Sequence, residues 1–186
     1  MKTDDLIHEL IALTEQNREE GEYLKKLPLE YLQRKKNQES WSALECIEHL
    51  NRYGDFYIPE IDFRLSNSNH GPTQLFNSGI LGNYFAQSML PKEKPNRMKT
   101  FRSMNPIHSN LEMSTVNTFI KQQDQLLELL ERARHTNLTK VRTSVSISKW
   151  IKLRLGDTLR VVVYHNLRHI KQAKRAISFE SGSLNN

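Results

Sequence analysis

The chain has 186 residues, 27 of them Lys or Arg against 21 Asp or Glu, for a formal net charge of +6. That length suits one domain over residues 1–186 with a real hydrophobic core, and no stretch approaches the roughly 18 consecutive apolar residues of a membrane-spanning helix. The single cysteine, Cys46, excludes an internal disulfide framework, and the opening MKTDDLIHEL lacks the apolar run of a secretory signal, so a cytoplasmic protein with no membrane partner is expected.

Four segments carry helical periodicity. The first is predicted from about Asp4 to Leu27, with Leu6, Leu10, Leu13, Leu24 and Leu27 along its apolar side. Thr3 is its expected N-cap, and Asp4 and Asp5 suit the positive end of the helix dipole. Pro28 closes this helix or starts the next turn. The second is predicted from about Trp41 to Leu65. Ser42, followed three residues later by Glu45, reads as a capping box, and Leu44, Ile47, Leu50 and Phe56 supply apolar contacts. Pro59 predicts a kink or an early end.

Residues 66–109 read differently. SNSNHGP starts a turn-rich loop, and Gly79, Gly82, Pro91, Pro95 and Pro106 punctuate the rest, with a short helix expected over Asn83–Met89. A connection this long is uncommon in a compact domain and is often functional. The segment from Asn67 to Asn110 is therefore where substrate-selecting residues are expected. The third helix is predicted from about Ser109 to Arg134. Val141–Ile147 alternates apolar and polar residues, which predicts an extended crossover. The fourth helix is predicted from Gly156-Asp157, with Asp157 as N-cap, to near Phe179. Its stripe of Leu159, Val163, Asn166, Ile170, Ala173 and Ile177 suits bundle packing. The elements add up to an all-α fold, a four-helix bundle with a long connection between its second and third helices.

Of the seven histidines, His165 and His169 are four apart on the fourth helix. Residues at that spacing project from one face about one turn apart, so both imidazoles can reach one ion. They follow the row Val162, His165, His169, Gln172, which flanks the apolar stripe and faces the bundle interior or its mouth. The simpler reading is two hydrogen-bonded, partly buried histidines. His49 lies beside Leu50 in a core-like part of the second helix, and inward side chains on facing helices build metal sites in bundles. Three neutral imidazoles would leave a coordination position open, as catalytic sites do. Tyr53, Arg168 and Gln172 stand as substrate-binding candidates: Arg168 could hold an anionic group by paired hydrogen bonds. Their simpler roles are aromatic packing for Tyr53 and outer-face solvation for Arg168 and Arg175. Cys46 lies three residues before His49, with a small buried apolar role favoured. His8, His70, His108 and His135 read as surface or structural residues. No residue reads as an unambiguous general base, so no catalytic residue is assigned.

WSALECIEHL at 41–50 resembles the second-helix signature of the DinB-like superfamily. YHNLRHIKQAKR at 164–175 resembles that family's fourth-helix signature, an H-x2-R-H core followed by Q-A-x-R. LPKEKPNRMKT at 90–100 and the MNP at 104–106 resemble the Lys- and Pro-containing connection of some members. The resemblance implies a four-helix bundle with a divalent metal held by His49, His165 and His169, in a protein that forms a homodimer. It also implies a thiol S-transferase or isomerase working with a low-molecular-weight thiol, or a metal-dependent hydrolase.

Three functions follow as expectations. The first is a divalent-metal-dependent enzyme acting on a small-molecule substrate; three imidazoles suit Zn, Ni, Cu or Fe, with Zn, Ni or Fe favoured. The alternative is a non-catalytic helical bundle that binds a small ligand or a protein partner. Nucleic-acid binding rests on charge alone. Lys and Arg are interspersed with Asp and Glu, in clusters no longer than Arg34-Lys35-Lys36 or Lys92-Glu93-Lys94, so a solvated surface is expected instead.

Overall fold

The computed structural model describes residues 1–91, 100–146 and 148–178, with the backbone alone at Lys149. The Lys92–Lys94 cluster, Pro95, the end of the alternating piece at Ile147 and the predicted helix end near Phe179 lie outside the described residues. The chain is mostly helical, with helices α1 (Thr3–Lys25), α2 (Leu29–Gln33), α3 (Ala43–Ser66), α4 (Ile80–Met89), α5 (Ser114–Ala133) and α6 (Leu155–Ser178). Strands β1 (Arg142–Val145) and β2 (Ser148–Arg154) pair as an antiparallel hairpin between α5 and α6. The expected extended crossover is therefore the first arm of a small hairpin, in a chain whose mostly helical content is consistent with the all-α expectation. No helix among the described residues is long and apolar enough to cross a membrane.

The capping box that opens α3 is present, with the Ser42 hydroxyl accepting from Glu45 N and the Glu45 carboxylate accepting from Ser42 N. Pro59 does not end this helix, which continues to Ser66. Pro28 is the N-cap of the single-turn α2, and α1 has already ended at Lys25. Helix α4 begins three residues earlier than predicted, and α5 begins five residues later.

Two expected caps are corrected by long-range partners. Thr3 is the first residue of α1 rather than its cap, and Lys2, which precedes it, forms a bridge with Leu75. The backbone N–H of Thr3 donates to Gln74 O, so a distant segment satisfies a donor that a local side chain was expected to serve. Asp157 lies in the first turn of α6, fully buried, and its carboxylate accepts from the Gly79 N–H and the Ser78 hydroxyl. Gly79 is the N-cap of α4, so Asp157 serves the start of a neighbouring helix. A Cβ on Gly82 would strike the Asp157 carboxyl, which is why glycine stands there.

Helix α1 packs on α5 and α6, α3 packs on α5 and α6, and α4 lies on α6. The buried apolar side chains form two clusters. One holds Leu6, Leu10, Tyr57, Ile61, Leu130 and Val163; the other holds Leu24, Ile47, Leu50, Phe119, Ile170 and Ala173. Each fully buried large side chain contributes about 1.5–3 kcal/mol relative to exposure. Both α3 and α6 pass from one cluster to the other, between Leu50 and Tyr57 on α3 and between Tyr164 and Ile170 on α6. The histidines cluster at that junction.

Candidate metal centre

His49 on α3 and His165 and His169 on α6 converge, with one ligand nitrogen from each lying within 4.8 Å of the other two. His49 is 3 % and His165 8 % exposed, and His169 is half-buried. The ring centroids of His49 and His165 are 5.1 Å apart, and each lies 4.6 Å from that of His169.

The tautomers follow from the hydrogen bonds. His49 Nδ1 lies 2.7 Å from the Met104 carbonyl oxygen, which can only accept, so Nδ1 carries the proton. In the neutral ring that leaves a lone pair on Nε2, and this atom faces His165 Nε2 at 3.2 Å. Ligand nitrogens about 2.0–2.1 Å from a tetrahedral ion stand about 3.3 Å apart, so this pair already has the spacing of two metal ligands. Among the described residues His169 Nδ1 is buried without a hydrogen-bond partner, an uncompensated polar atom of the kind that a bound ion would satisfy.

Electrostatics keeps the group in its ligating form. Burial pushes the His49 imidazole down to about 4, with the Met104 carbonyl opposing and Arg52 reinforcing the shift. Burial also takes His165 well below its ordinary value, helped by His169, His49 and Arg168. For His169 the causes are burial, then His49 and Arg168. All three are neutral at pH 7, as metal binding requires. The donor set, its spacing and its protonation fit a divalent ion at His49, His165 and His169.

The other sequence candidates are near the group. The Tyr53 ring lies 4.9 Å from His49 and 4.7 Å from His165, and it stacks on Tyr57 at 6.3 Å. Burial and Tyr57 raise its phenol, so Tyr53 keeps its proton. Arg168 donates to Ser88 O at the end of α4. Arg168 and Gln172 line, together with the histidines, a cavity of about 1010 Å³. Cys46 is fully buried, its thiol pushed up by burial and by Glu45, and it takes no part in the histidine group. It is a packing residue, as a buried thiol held in its neutral form is unreactive.

Sequence reasoning missed the frame around His49. Arg52 donates to the carbonyls of Ser103 and Asn105 and to the Ser109 hydroxyl, which brackets Met104. Glu45, 2 % exposed, accepts from Lys35 at 2.5 Å and from His108 N at 2.7 Å. His108 itself has a φ of 62°, a left-handed backbone unusual outside glycine. Trp41, expected only to open a helix, lies 4.8 Å from His49, ring to ring. Arg52 also pairs with Glu48 at i,i+4 on α3.

Helices meeting around three inward imidazoles define a helical protein with a candidate metal centre open to a cavity. Residues 12–173 match the family model of the DinB superfamily, and the chain belongs to that superfamily. No curated protein and no solved structure matches it.

Proposed function

We propose that this protein is a divalent-metal-dependent enzyme that acts on a small-molecule substrate, as a transferase using a low-molecular-weight thiol or as a hydrolase. Its scaffold in this reading is a four-helix bundle of α1, α3, α5 and α6. The observation that carries the proposal is the pairing of His49 Nε2 with His165 Nε2 at 3.2 Å, with His49 Nδ1 committed to Met104 O. Zn, Ni or Fe at the three histidines would lower the pKa of a coordinated thiol or water and polarise a substrate held beside it. The chain's own residues set the rest. Met104 O fixes the His49 ring and its tautomer. Tyr53, which keeps its proton, can donate a hydrogen bond to an oxygen or sulfur beside the histidines. Tyr53, Tyr57 and Phe85 line the same cavity as the histidines.

Metal analysis of protein purified without an affinity tag tests the first step. About one ion per chain is expected. Absence of bound Zn, Ni, Fe or Mn even after reconstitution would dismiss the enzyme reading in favour of a non-catalytic bundle. The homodimer implied by the family and the cytoplasmic location expected from the sequence remain proposals, the first to be read from the mass in solution.

A further inference from the structure

One wall of the cavity is built from side-chain amides. Helix α5 puts two consecutive glutamines there, Gln122 and Gln123, and they diverge. Gln122 turns to α3, where its Nε2 donates to Asn51 O at 3.1 Å and to Asp55 Oδ1 at 2.9 Å. Gly54 makes room for that amide, since a Cβ there would strike it. Gln123 turns to α6, where its Oε1 accepts from Asn166 Nδ2 at 3.1 Å. Helix α5 thus reaches both helices that carry the histidines, and Asn166 follows His165 in the chain.

Gln123 is 2 % and Asn166 6 % exposed, yet each amide has spent only one of its two polar atoms. Gln123 Nε2 and Asn166 Oδ1 have no partner among the described residues. Neither atom is sealed inside the protein, as Asn51 Oδ1 is. Both residues line the cavity, so it is the cavity that reaches these two atoms. Turning both amides over would keep a bond between them and would still leave one NH2 and one C=O unspent. The wall therefore offers a donor beside an acceptor whichever way the pair is set.

The share of the wall that α5 contributes, Gln122, Gln123 and Leu126, carries no charge. Leu126 lies about one turn beyond Gln123 on α5, and Val162 about one turn before Asn166 on α6. Both line the cavity and belong with Tyr57 and Phe85 to one apolar cluster. A neutral donor–acceptor pair is thus bordered by apolar surface.

We propose that this wall binds a neutral ligand through a carboxamide group. The ligand's C=O accepts from Gln123 Nε2, its N–H donates to Asn166 Oδ1, and its apolar or aromatic substituent lies along Leu126 and Val162. The proposal rests on the reading of this cavity as the ligand site, and it names the ligand class. A carboxylate has only acceptors and would be repelled by Asn166 Oδ1; an ammonium has only donors and would be repelled by Gln123 Nε2. A ketone satisfies the donor alone and strips water from an acceptor that it cannot pair.

N-benzylacetamide and 4-phenylbutan-2-one, which differ only by N–H against CH2, test it by NMR titration of Zn-loaded and of EDTA-treated protein. The amide is the better hydrated of the two, so it gains over the ketone only where the protein pairs its N–H. It should bind at least about tenfold more tightly than the ketone in both forms. Gln123→Met should bring the amide down to the ketone, with Zn content unchanged and the ketone's own affinity within about twofold of wild type. Asn166→Leu, a change on the other helix, should abolish the same preference. Equal binding of the two probes, or tighter binding of the ketone, would overturn the proposal, as would a preference that survives both substitutions. A preference present only with Zn would also overturn it, because the ion rather than the amides would then discriminate. Absence of binding by both probes would defeat the reading of the cavity as a ligand site, and the proposal with it. Failure to bind Zn leaves the comparison intact in EDTA-treated protein, so the metal proposal and the carboxamide proposal fail separately.

Discussion

Metal-free protein should lose stability when it is acidified from pH 7 to pH 5. His49 is 3 % exposed. Burial is the largest influence on its imidazole, which moves from 6.5 to about 4. Between those values the unfolded chain holds more protons than the folded one, so each step toward acid favours unfolding. The stability tied to neutral His49 is complete above about pH 6.5 and is lost as the pH falls toward about 4. The whole shift corresponds to about 3 kcal/mol, and the step from pH 7 to pH 5 to about 2 kcal/mol. His165 and His169 are lowered too, by burial first, and so add to the loss in the same direction. Because the three rings interact, they take up protons as a group. Urea denaturation of EDTA-treated protein at the two pH values measures the effect. His49→Gln is the control, since Gln does not titrate: its stability should fall by about 2 kcal/mol less over the same step. Equal pH slopes for the wild type and His49→Gln would refute the reasoning.

His165→Ala leaves two of the three imidazoles, and its metal content should fall from about one ion per chain to below about a tenth by elemental analysis. Arg52→Ala frees the segment that presents Met104 O to His49; Zn affinity in a competition titration should weaken about 10- to 100-fold, and an unchanged affinity would count against the positioning role. Glu45→Ala removes the buried partner of Lys35, half of the capping box and the acceptor for His108 N. It should cost about 3 kcal/mol in urea denaturation, whereas a loss within about 0.5 kcal/mol would place Glu45 among ordinary surface residues.

What the sequence revealed was set by local rules. The His165–His169 pair follows from helix periodicity, and the Ser42–Glu45 box from a spacing of three, so both were legible without knowledge of packing. His49 needed a statement about which helices face each other, which the family signatures supplied. The failures share one cause. Thr3 and Asp157 have the chemistry of caps, but Thr3 N is served by Gln74 O, and Asp157 is turned to Gly79 and Ser78. A local rule looks for a local partner, and here partners more than 70 residues away compete successfully. The second hairpin strand, SKWIKLR, escaped because its lysines and exposed Trp150 mask the inward Ile151 and Leu153. Its register also shifts between Ser144 and Val145, so no simple alternation spans the turn.

Met104 could not have been read at all, since it acts through a backbone carbonyl in an irregular segment. Its placement is nonetheless over-determined by side chains on α3. Glu45 stands four residues before His49 and Arg52 three after it, all on one side of the helix. Glu45 holds the connection at His108 N, and Arg52 holds it at the carbonyls of Ser103 and Asn105. Met104 lies between the two Arg52 contacts, and its carbonyl decides which nitrogen of His49 keeps a lone pair. The residue that caps α3 is thus mechanically joined to the tautomer of a metal ligand. Substitutions at Glu45 and Arg52 should move metal affinity together with the order of the 103–109 segment.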